Sequence, residues 1–140
     1  MRFEFATADR ILFGGGTVRE AGAIAKSLGA RALVVTGGQT ERAAPLLEAL
    51  HAGGVAMCTF PVSGEPTLDA VMEGRAIART EACDLVIGMG GGSALDAAKA
   101  IAAMGDNEGD LLDYLEVIGR GLPLQRPSAP CLAIPTTAGT

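Results

Sequence analysis

Between Arg31 and Met104 the chain alternates short apolar runs with segments of helical period, and short turns separate them. The apolar runs are Arg31–Thr36, Val55–Val62 and Leu85–Met89, and the helical segments are Thr40–His51, Leu68–Glu81 and Ser93–Met104. This alternation predicts parallel strands joined by right-handed crossovers. The predicted fold class is therefore α/β, a Rossmann-like parallel sheet with helices on both faces.

The flanking segments predict a few further elements. Thr17, followed three residues later by Glu20, forms a capping-box pattern before a helix that ends at Gly29. Thr67 is predicted to cap the helix that begins at Leu68. The remaining predicted elements are strands at Phe3–Phe5, Arg10–Phe13 and Leu132–Ile134 and a short helix at Leu111–Val117.

Composition excludes several classes of partner. The net charge of -5 argues against nucleic acid, whose phosphates require a basic surface. No apolar run approaches the roughly 20 residues of a membrane span, so no membrane is expected. The three cysteines are dispersed and odd in number, which favours reduced thiols and a cytoplasmic protein.

A glycine-rich loop, Gly88–Ser93, joins an apolar strand to an alanine-rich helix. Such a junction points backbone N–H groups and the positive end of a helix dipole at one spot, which suits a phosphate. Gly88 and Gly90 fit the first two glycines of a dinucleotide fingerprint, but Ser93 stands at the third. The loop also lacks the Gly-Lys-Ser/Thr of the P-loop (Walker A motif) that binds nucleoside triphosphates. A tight turn without a ligand remains the alternative.

A second glycine pair, Gly37 and Gly38, follows the strand at Arg31–Thr36. An acidic residue at such a position usually binds the ribose hydroxyls of NAD. With glycine there and Thr40 and Arg42 close behind, the site would tolerate the extra phosphate of NADP. A plain turn before a helix explains the same residues.

The remaining charged residues, the histidine and the cysteines give weaker indications of function. Asp96 and Lys99 have the spacing of a surface ion pair, although Asp96 also lies near the predicted phosphate loop. His51 is the single histidine, and with three scattered cysteines it makes no convincing transition-metal site. We therefore predict neither catalytic nor metal-binding residues within the chain.

Four short motifs occur along the chain in a fixed order. Gly-Gly-Gly-Ser-x-x-Asp-x-Ala-Lys stands at Gly90–Lys99, and Pro-Thr-Thr-Ala-Gly-Thr stands at Pro135–Thr140. Phe-Gly-x-Gly stands at Phe13–Gly16, and a Pro-Thr helix start stands at Pro66–Thr67. In these motifs and their spacing the chain resembles the iron-containing (group III) alcohol dehydrogenases, and the resemblance extends over the whole chain.

The resemblance implies an NAD(P)-dependent enzyme that interconverts alcohols with aldehydes or ketones. The Rossmann-like N-terminal domain of the family, shared with dehydroquinate synthase, binds NAD(P). An all-helical C-terminal domain holds a divalent metal, iron or zinc, that polarises the alcohol oxygen. Residues 1–140 look like the N-terminal domain, truncated before the metal-binding one. This chain alone is then expected to be inactive.

The resemblance also implies roles for individual residues. Gly91, Gly92 and Ser93 would cradle the pyrophosphate of the cofactor. Glu65 would lie near the adenine ribose, and Asp96 would help to order the cofactor. The residues expected on the adenosine and nicotinamide side of the cleft are Thr136, Thr137 and Thr140.

Two alternatives stay open. A sister enzyme, such as a glycerol dehydrogenase or a dehydroquinate synthase, would share fold and cofactor but use another substrate. A non-catalytic nucleotide-binding module would bind cofactor without turnover. In either enzymatic case the partner is a small molecule, and the N-terminal strand offers an edge for a homodimer.

Overall fold

A computed structural model describes residues 1–137 of the chain. Four parallel strands form one sheet in the order β2-β1-β3-β4. The strands are β1 (Arg31–Thr36), β2 (Ala56–Pro61), β3 (Leu85–Gly90) and β4 (Cys131–Pro135). The helices are α1 (Ala21–Leu28), α2 (Ala44–Ala52), α3 (Leu68–Thr80), α4 (Gly92–Met104) and α5 (Leu111–Tyr114). The predicted α/β class and the parallel sheet are confirmed.

Helices cover both faces of the sheet, and β1 buries alternate side chains in one cluster on each face. Leu33 and Val35 lie on one face in a cluster that includes Ile101 of α4. Ala32 and Val34 lie on the other face in a cluster with α1 and α2. All four β1 side chains are completely buried, as expected for a parallel strand between two helical layers.

One carboxylate binds backbone N–H groups at the end of the sheet where the strands begin. Asp84, just before β3, accepts hydrogen bonds from the backbone N–H groups of Ala30 at 2.9 Å and Arg31 at 2.8 Å. These bonds hold the pKa of Asp84 below its ordinary value of 3.8. The carboxylate thereby ties the starts of β1 and β3 together at the edge opposite the strands' carboxyl ends.

The two N-terminal strands predicted at Phe3–Phe5 and Arg10–Phe13 are wrong, because neither segment has strand structure. Phe3, Phe5 and Phe13 are each more than four-fifths exposed, with no strand beside them in residues 1–137 to complete a ladder. An alternating apolar pattern alone does not supply the partner that a strand requires.

The predicted capping box at Thr17 is also wrong. Residues Thr17–Glu20 form a 3₁₀ turn, and the residue before it is Gly16, in the left-handed region with a φ of 82°. The Thr17 hydroxyl donates to the carbonyl oxygen of Gly14 at 3.1 Å. In contrast, the predicted cap at Thr67 is confirmed, because its hydroxyl oxygen accepts a hydrogen bond from the N–H of Ala70 at 3.1 Å.

The irregular segment between α4 and β4 is organised by one buried side chain. Asn107 is 1% exposed, and its amide nitrogen donates to the carbonyl oxygens of Ala103 at 2.7 Å and Arg126 at 3.0 Å. Its side-chain oxygen accepts from the backbone N–H groups of Gln125 and Arg126. These bonds join the end of α4 to the segment that leads into β4. The predicted short helix at 111–117 covers only Leu111–Tyr114.

Candidate functional site

The connections that follow β1 and β3 leave the sheet toward opposite faces. After β1 the chain enters α2, which packs in the cluster with Val34, whereas after β3 it enters α4, which packs in the cluster with Leu33. Because β1 and β3 are neighbours, a crevice opens between their carboxyl ends. Open α/β sheets bind their ligands at this kind of switch point.

A cleft of about 190 Å³ occupies this crevice. It is lined by the ends of β1 and β3, by the residues that follow β4 and by the turn before α2: Thr36, Gly37, Gly38, Gln39, Arg42, Ala43, Met89, Gly90, Gly91, Thr136 and Thr137. Pockets that enclose whole small ligands measure roughly 300–1,000 Å³. This cleft is therefore large enough for part of a ligand of that size and not for the whole.

The first turn of α4 borders the cleft and has no side-chain cap. Its N-cap residue, Gly91, has no side chain to offer, and the first helical bond runs from the N–H of Leu95 to the Gly91 carbonyl oxygen at 3.2 Å. The N–H groups ahead of Leu95, from Gly92 to Ala94, thus precede the helical ladder. A ligand phosphate is the kind of group that such donors and the helix dipole stabilise.

The glycines of this loop serve two different purposes. A Cβ on Gly88 would lie 2.7 Å from the Cβ of Ala98, and one on Gly90 would lie 2.8 Å from the Cβ of Ala94. These two glycines therefore let β3 and α4 pack closely. A Cβ on Gly91 would meet only Thr137, at 3.6 Å, and one on Gly92 would meet nothing within 4 Å. Packing within residues 1–137 does not require glycine at 91 or 92, so these positions leave open space where a phosphate would approach the backbone.

Thr36 forms part of the cleft wall and was missed by the sequence reasoning. Its side chain is 2% exposed, and its hydroxyl oxygen has no hydrogen-bond partner among residues 1–137. A buried hydroxyl without a partner is uncommon and points to a missing polar group. The available signal was a polar residue at the last position of an otherwise apolar buried strand.

The structure brings six of the predicted site residues together around the cleft: Gly37, Gly38, Gly90, Gly91, Thr136 and Thr137. The backbone joins two of these groups, because the N–H of Thr136 donates to the carbonyl oxygen of Gly90 at 2.9 Å. Gly92 and Ser93 are the first residues of α4, beside the cleft. Thr140 lies outside the described residues.

Two predicted residues lie apart from the cleft lining. Asp96 is on α4, where its carboxylate pairs with the ammonium of Lys99 at 3.2 Å and is 65% exposed. Glu65 is exposed in the loop between β2 and α3. Their predicted roles toward a cofactor stay predictions, and the Asp96 pair has the geometry of an ordinary surface ion pair.

Arg42 is the cation of the cleft. It lies in a 3₁₀ turn over Thr40–Ala43, directly ahead of α2, and is exposed. Within residues 1–137 its guanidinium pairs with no carboxylate, in contrast to Arg31, Arg75 and Arg79. Glu41 faces a second cleft of about 320 Å³ between the same turn and β2, rather than the first one.

The part of the chain that the structure describes offers no grouping of three or more His, Cys, Asp or Glu side chains that could hold a metal ion. The three cysteines are unpaired, although the sulfur atoms of Cys58 and Cys83 lie 3.6 Å apart. None of the helices in residues 1–137 combines the length and apolarity needed to cross a bilayer.

Comparison with known proteins matches the chain to one family. The model of a family described as iron-containing alcohol dehydrogenase matches residues 8–140. A sulfoacetaldehyde reductase of Bilophila wadsworthia is 37% identical over 100% of this chain and 36% of its own length. An NAD-dependent methanol dehydrogenase of Bacillus methanolicus is 34% identical over 92% of this chain and 34% of its own length.

Solved structures show the same likeness. The crystal structure of a 1,3-propanediol oxidoreductase superposes with a TM-score of 0.90 at 30% identity, over 100% of this chain and 37% of that one. A sulfoacetaldehyde reductase from Bifidobacterium kashiwanohense, solved in complex with NAD+, gives a TM-score of 0.83 at 30% identity, over 100% and 37%. The chain spans about a third of the length of these relatives.

Proposed function

The chain belongs to the iron-containing alcohol dehydrogenase family, and we propose that it forms the NAD(P)-binding domain of an oxidoreductase that interconverts alcohols with aldehydes or ketones. The observation that carries this proposal is the cleft at the switch point, because it combines an uncapped helix start with open space at Gly91 and Gly92. The relatives' names support the reaction class, since they include a sulfoacetaldehyde reductase and a methanol dehydrogenase.

The residues of the cleft fit a nicotinamide dinucleotide. The N–H groups of Gly92 and Ser93 would bind the pyrophosphate, and the buried hydroxyl of Thr36 would gain the polar partner that it lacks. Thr136 and Thr137 would bind along the wall formed by the end of β4. When bound, the nicotinamide supplies hydride acceptance and donation. The domain itself contributes orientation: it fixes the cofactor by its phosphates on one side of the sheet.

We propose that a second, all-helical domain outside residues 1–140 supplies the metal ligands and the substrate pocket. The relatives' greater length supports this arrangement, because the chain matches only about a third of each. The substrate would be a small alcohol or aldehyde.

Two features support further parts of the proposal. The three unpaired cysteines are typical of a reducing compartment, which supports a cytoplasmic enzyme. The exposed aromatic side chains of Phe3, Phe5 and Phe13 support association of the N-terminal segment, as in a homodimer.

Substitution of Gly91 tests the cofactor site. The Cβ of a valine at 91 would lie at an ordinary contact distance, 3.6 Å from the nearest atom of Thr137, and the side chain would occupy space that a phosphate needs in front of the α4 N–H groups. We expect Gly91→Val to weaken NAD(P)H binding by about 100-fold or more, as expected from losing charge-assisted phosphate bonds, and Gly91→Ala to weaken it less.

Dissociation constants from calorimetric titration of NADH and NADPH measure this effect, and thermal unfolding without cofactor is the control. The variants should unfold within a few degrees of the wild-type protein, since neither packing nor a positive φ requires glycine at this position. Unchanged cofactor affinity in a folded Gly91→Val protein would refute the proposed site.

A further inference from the structure

We infer that the cleft takes NADP(H) in preference to NAD(H), with the guanidinium of Arg42 as the partner of the ribose 2′-phosphate. This inference rests on the proposed function, because it specifies which dinucleotide the same site selects. The inferred preference differs from the cofactor named for two of the relatives, the methanol dehydrogenase and the reductase solved with NAD+.

The first observation is the missing carboxylate at the end of β1. Sites that prefer NAD place an acidic residue near the end of such a strand, where it accepts hydrogen bonds from the ribose hydroxyls and repels a phosphate. Here Gly37 and Gly38 follow β1 and line the cleft. The nearby acid, Glu41, lines the second cleft instead.

The fold does not enforce glycine at position 37. A Cβ built there meets no atom within 4 Å, and the φ of Gly37 lies outside the left-handed region. An aspartate would therefore fit without strain. The lack of a carboxylate is a chemical property of the cleft and not a consequence of packing.

The second observation is the cation that stands in place of the acid. Arg42 lines the cleft together with Gly37 and Gly38, and no carboxylate in residues 1–137 neutralises it. A guanidinium offers two parallel N–H donors that match phosphate oxygens. With no acid in the lining, the charge of this end of the cleft is positive.

The third observation is independent of charge. Thr36 is 2% exposed, and its hydroxyl has no partner among the described residues; it lines the first cleft where β1 ends, next to Gly37, and also borders the second cleft. A polar ligand group bound at this end of the first cleft would supply the partner that the hydroxyl lacks. The ribose and its phosphate supply such groups.

The test measures dissociation constants for NADPH and NADH in the full-length gene product and its variants, by quenching or enhancement of nicotinamide fluorescence. Wild-type protein should bind NADPH at least about tenfold more tightly than NADH, as expected from one charge-assisted contact. Arg42→Ala should weaken NADPH binding by about 10- to 100-fold and change NADH binding less than about twofold. Gly37→Asp should reverse the preference.

Three controls accompany these variants. Lys26→Ala also removes one positive charge, but away from the cleft, where the ammonium donates to the carbonyl oxygen of Gly54 near the start of β2. It should leave both dissociation constants unchanged. Glu41→Gln should also leave the preference unchanged, because Glu41 faces the second cleft. Arg42→Lys keeps the charge but not the paired donors, so it should restore part of the NADPH affinity.

The outcomes distinguish a failure of the NADP preference from a failure of the proposed function. Equal wild-type affinity for both dinucleotides, tighter NADH binding, or an equal effect of Arg42→Ala on both would overturn the NADP preference and leave the proposed function intact. Failure of the wild-type protein to bind either dinucleotide would overturn the proposed function itself. Thermal unfolding of each variant shows that a loss of binding is not a loss of fold.

Discussion

Gly88 sets the distance between β3 and α4, and its replacement by alanine tests the packing that positions the phosphate loop. The added Cβ would lie 2.7 Å from the Cβ of Ala98 and 3.3 Å from the carbonyl oxygen of Ala94. Carbon atoms in contact normally stand about 3.5–4.0 Å apart, so strand and helix would have to separate by roughly 1 Å. Neither atom can move by a rotamer change. Because overpacking typically costs about 1–3 kcal/mol, we expect Gly88→Ala to lower the free energy of unfolding by about 2–3 kcal/mol.

The double variant identifies the obstructing atom. Ala98→Gly removes the Cβ that lies 2.7 Å away, and alone it should cost about 1 kcal/mol through lower helix propensity. In the Gly88→Ala background the same change relieves the clash. The combined loss should therefore be smaller than the sum of the single losses by about 1–2 kcal/mol.

Urea unfolding followed by circular dichroism gives the three free energies. NADPH titration of the same proteins gives a second readout, since the first turn of α4 borders the cleft. Gly88→Ala should weaken NADPH binding, and the double variant should regain part of it. Strictly additive unfolding energies, or no loss in Gly88→Ala, would refute the argument that close packing of β3 on α4 requires this glycine.

Two further predictions concern titratable groups away from the cleft. The Ala30 and Arg31 N–H groups hold the pKa of Asp84 below 3.8, so the carboxylate stabilises the folded protein above pH 3.8 and this effect is lost as the pH falls through the lowered pKa. Asp84→Asn should therefore lower the free energy of unfolding in urea by about 1 kcal/mol at pH 7. An equal loss at pH 2 would contradict this. Burial and a neighbouring thiol raise the pKa of Cys83 to about 12, so iodoacetamide at pH 8 should alkylate it at least about tenfold more slowly than an unfolded thiol. Mass spectrometry measures the two rates, and equal rates would count against the burial.

The sheet was predictable because its signal is local. Every residue of Ala32–Thr36 is buried, and all but Thr36 are apolar, so the predicted bounds of β1 match those observed. The glycines that separate each strand from the next helix mark the same turns in sequence and structure. Six of the predicted site residues meet at the cleft for a related reason: each ends or follows a parallel strand, and the carboxyl ends of parallel strands lie on the same side of the sheet.

The errors have other causes, and only some of them involve residues far apart in the sequence. The alternation at Phe3–Phe5 has no neighbouring strand to pair with, so no strand forms. The Thr17 hydroxyl turns back to Gly14 instead of capping a helix. The hydrogen bonds of the Asn107 side chain could not be predicted from the sequence, because two of its partners, Gln125 and Arg126, lie far along the chain.

Thr36 is an omission of the same kind, since its lack of a partner appears only once the cleft is built. In the sequence it is the last residue of a strand, where threonine is common. Its burial and its position beside the cleft depend on β3 and on the turn that carries Arg42. Neither can be read from the residues next to it.

The position of the bound diphosphate tests the central claim most directly. We would determine the crystal structure of the full-length gene product with NADPH. We expect diphosphate oxygens about 3 Å from the backbone nitrogens of Gly92 or Ser93, at the start of α4. A diphosphate bound in the second cleft beside β2, or anywhere else away from the loop at Gly90–Ser93, would contradict it.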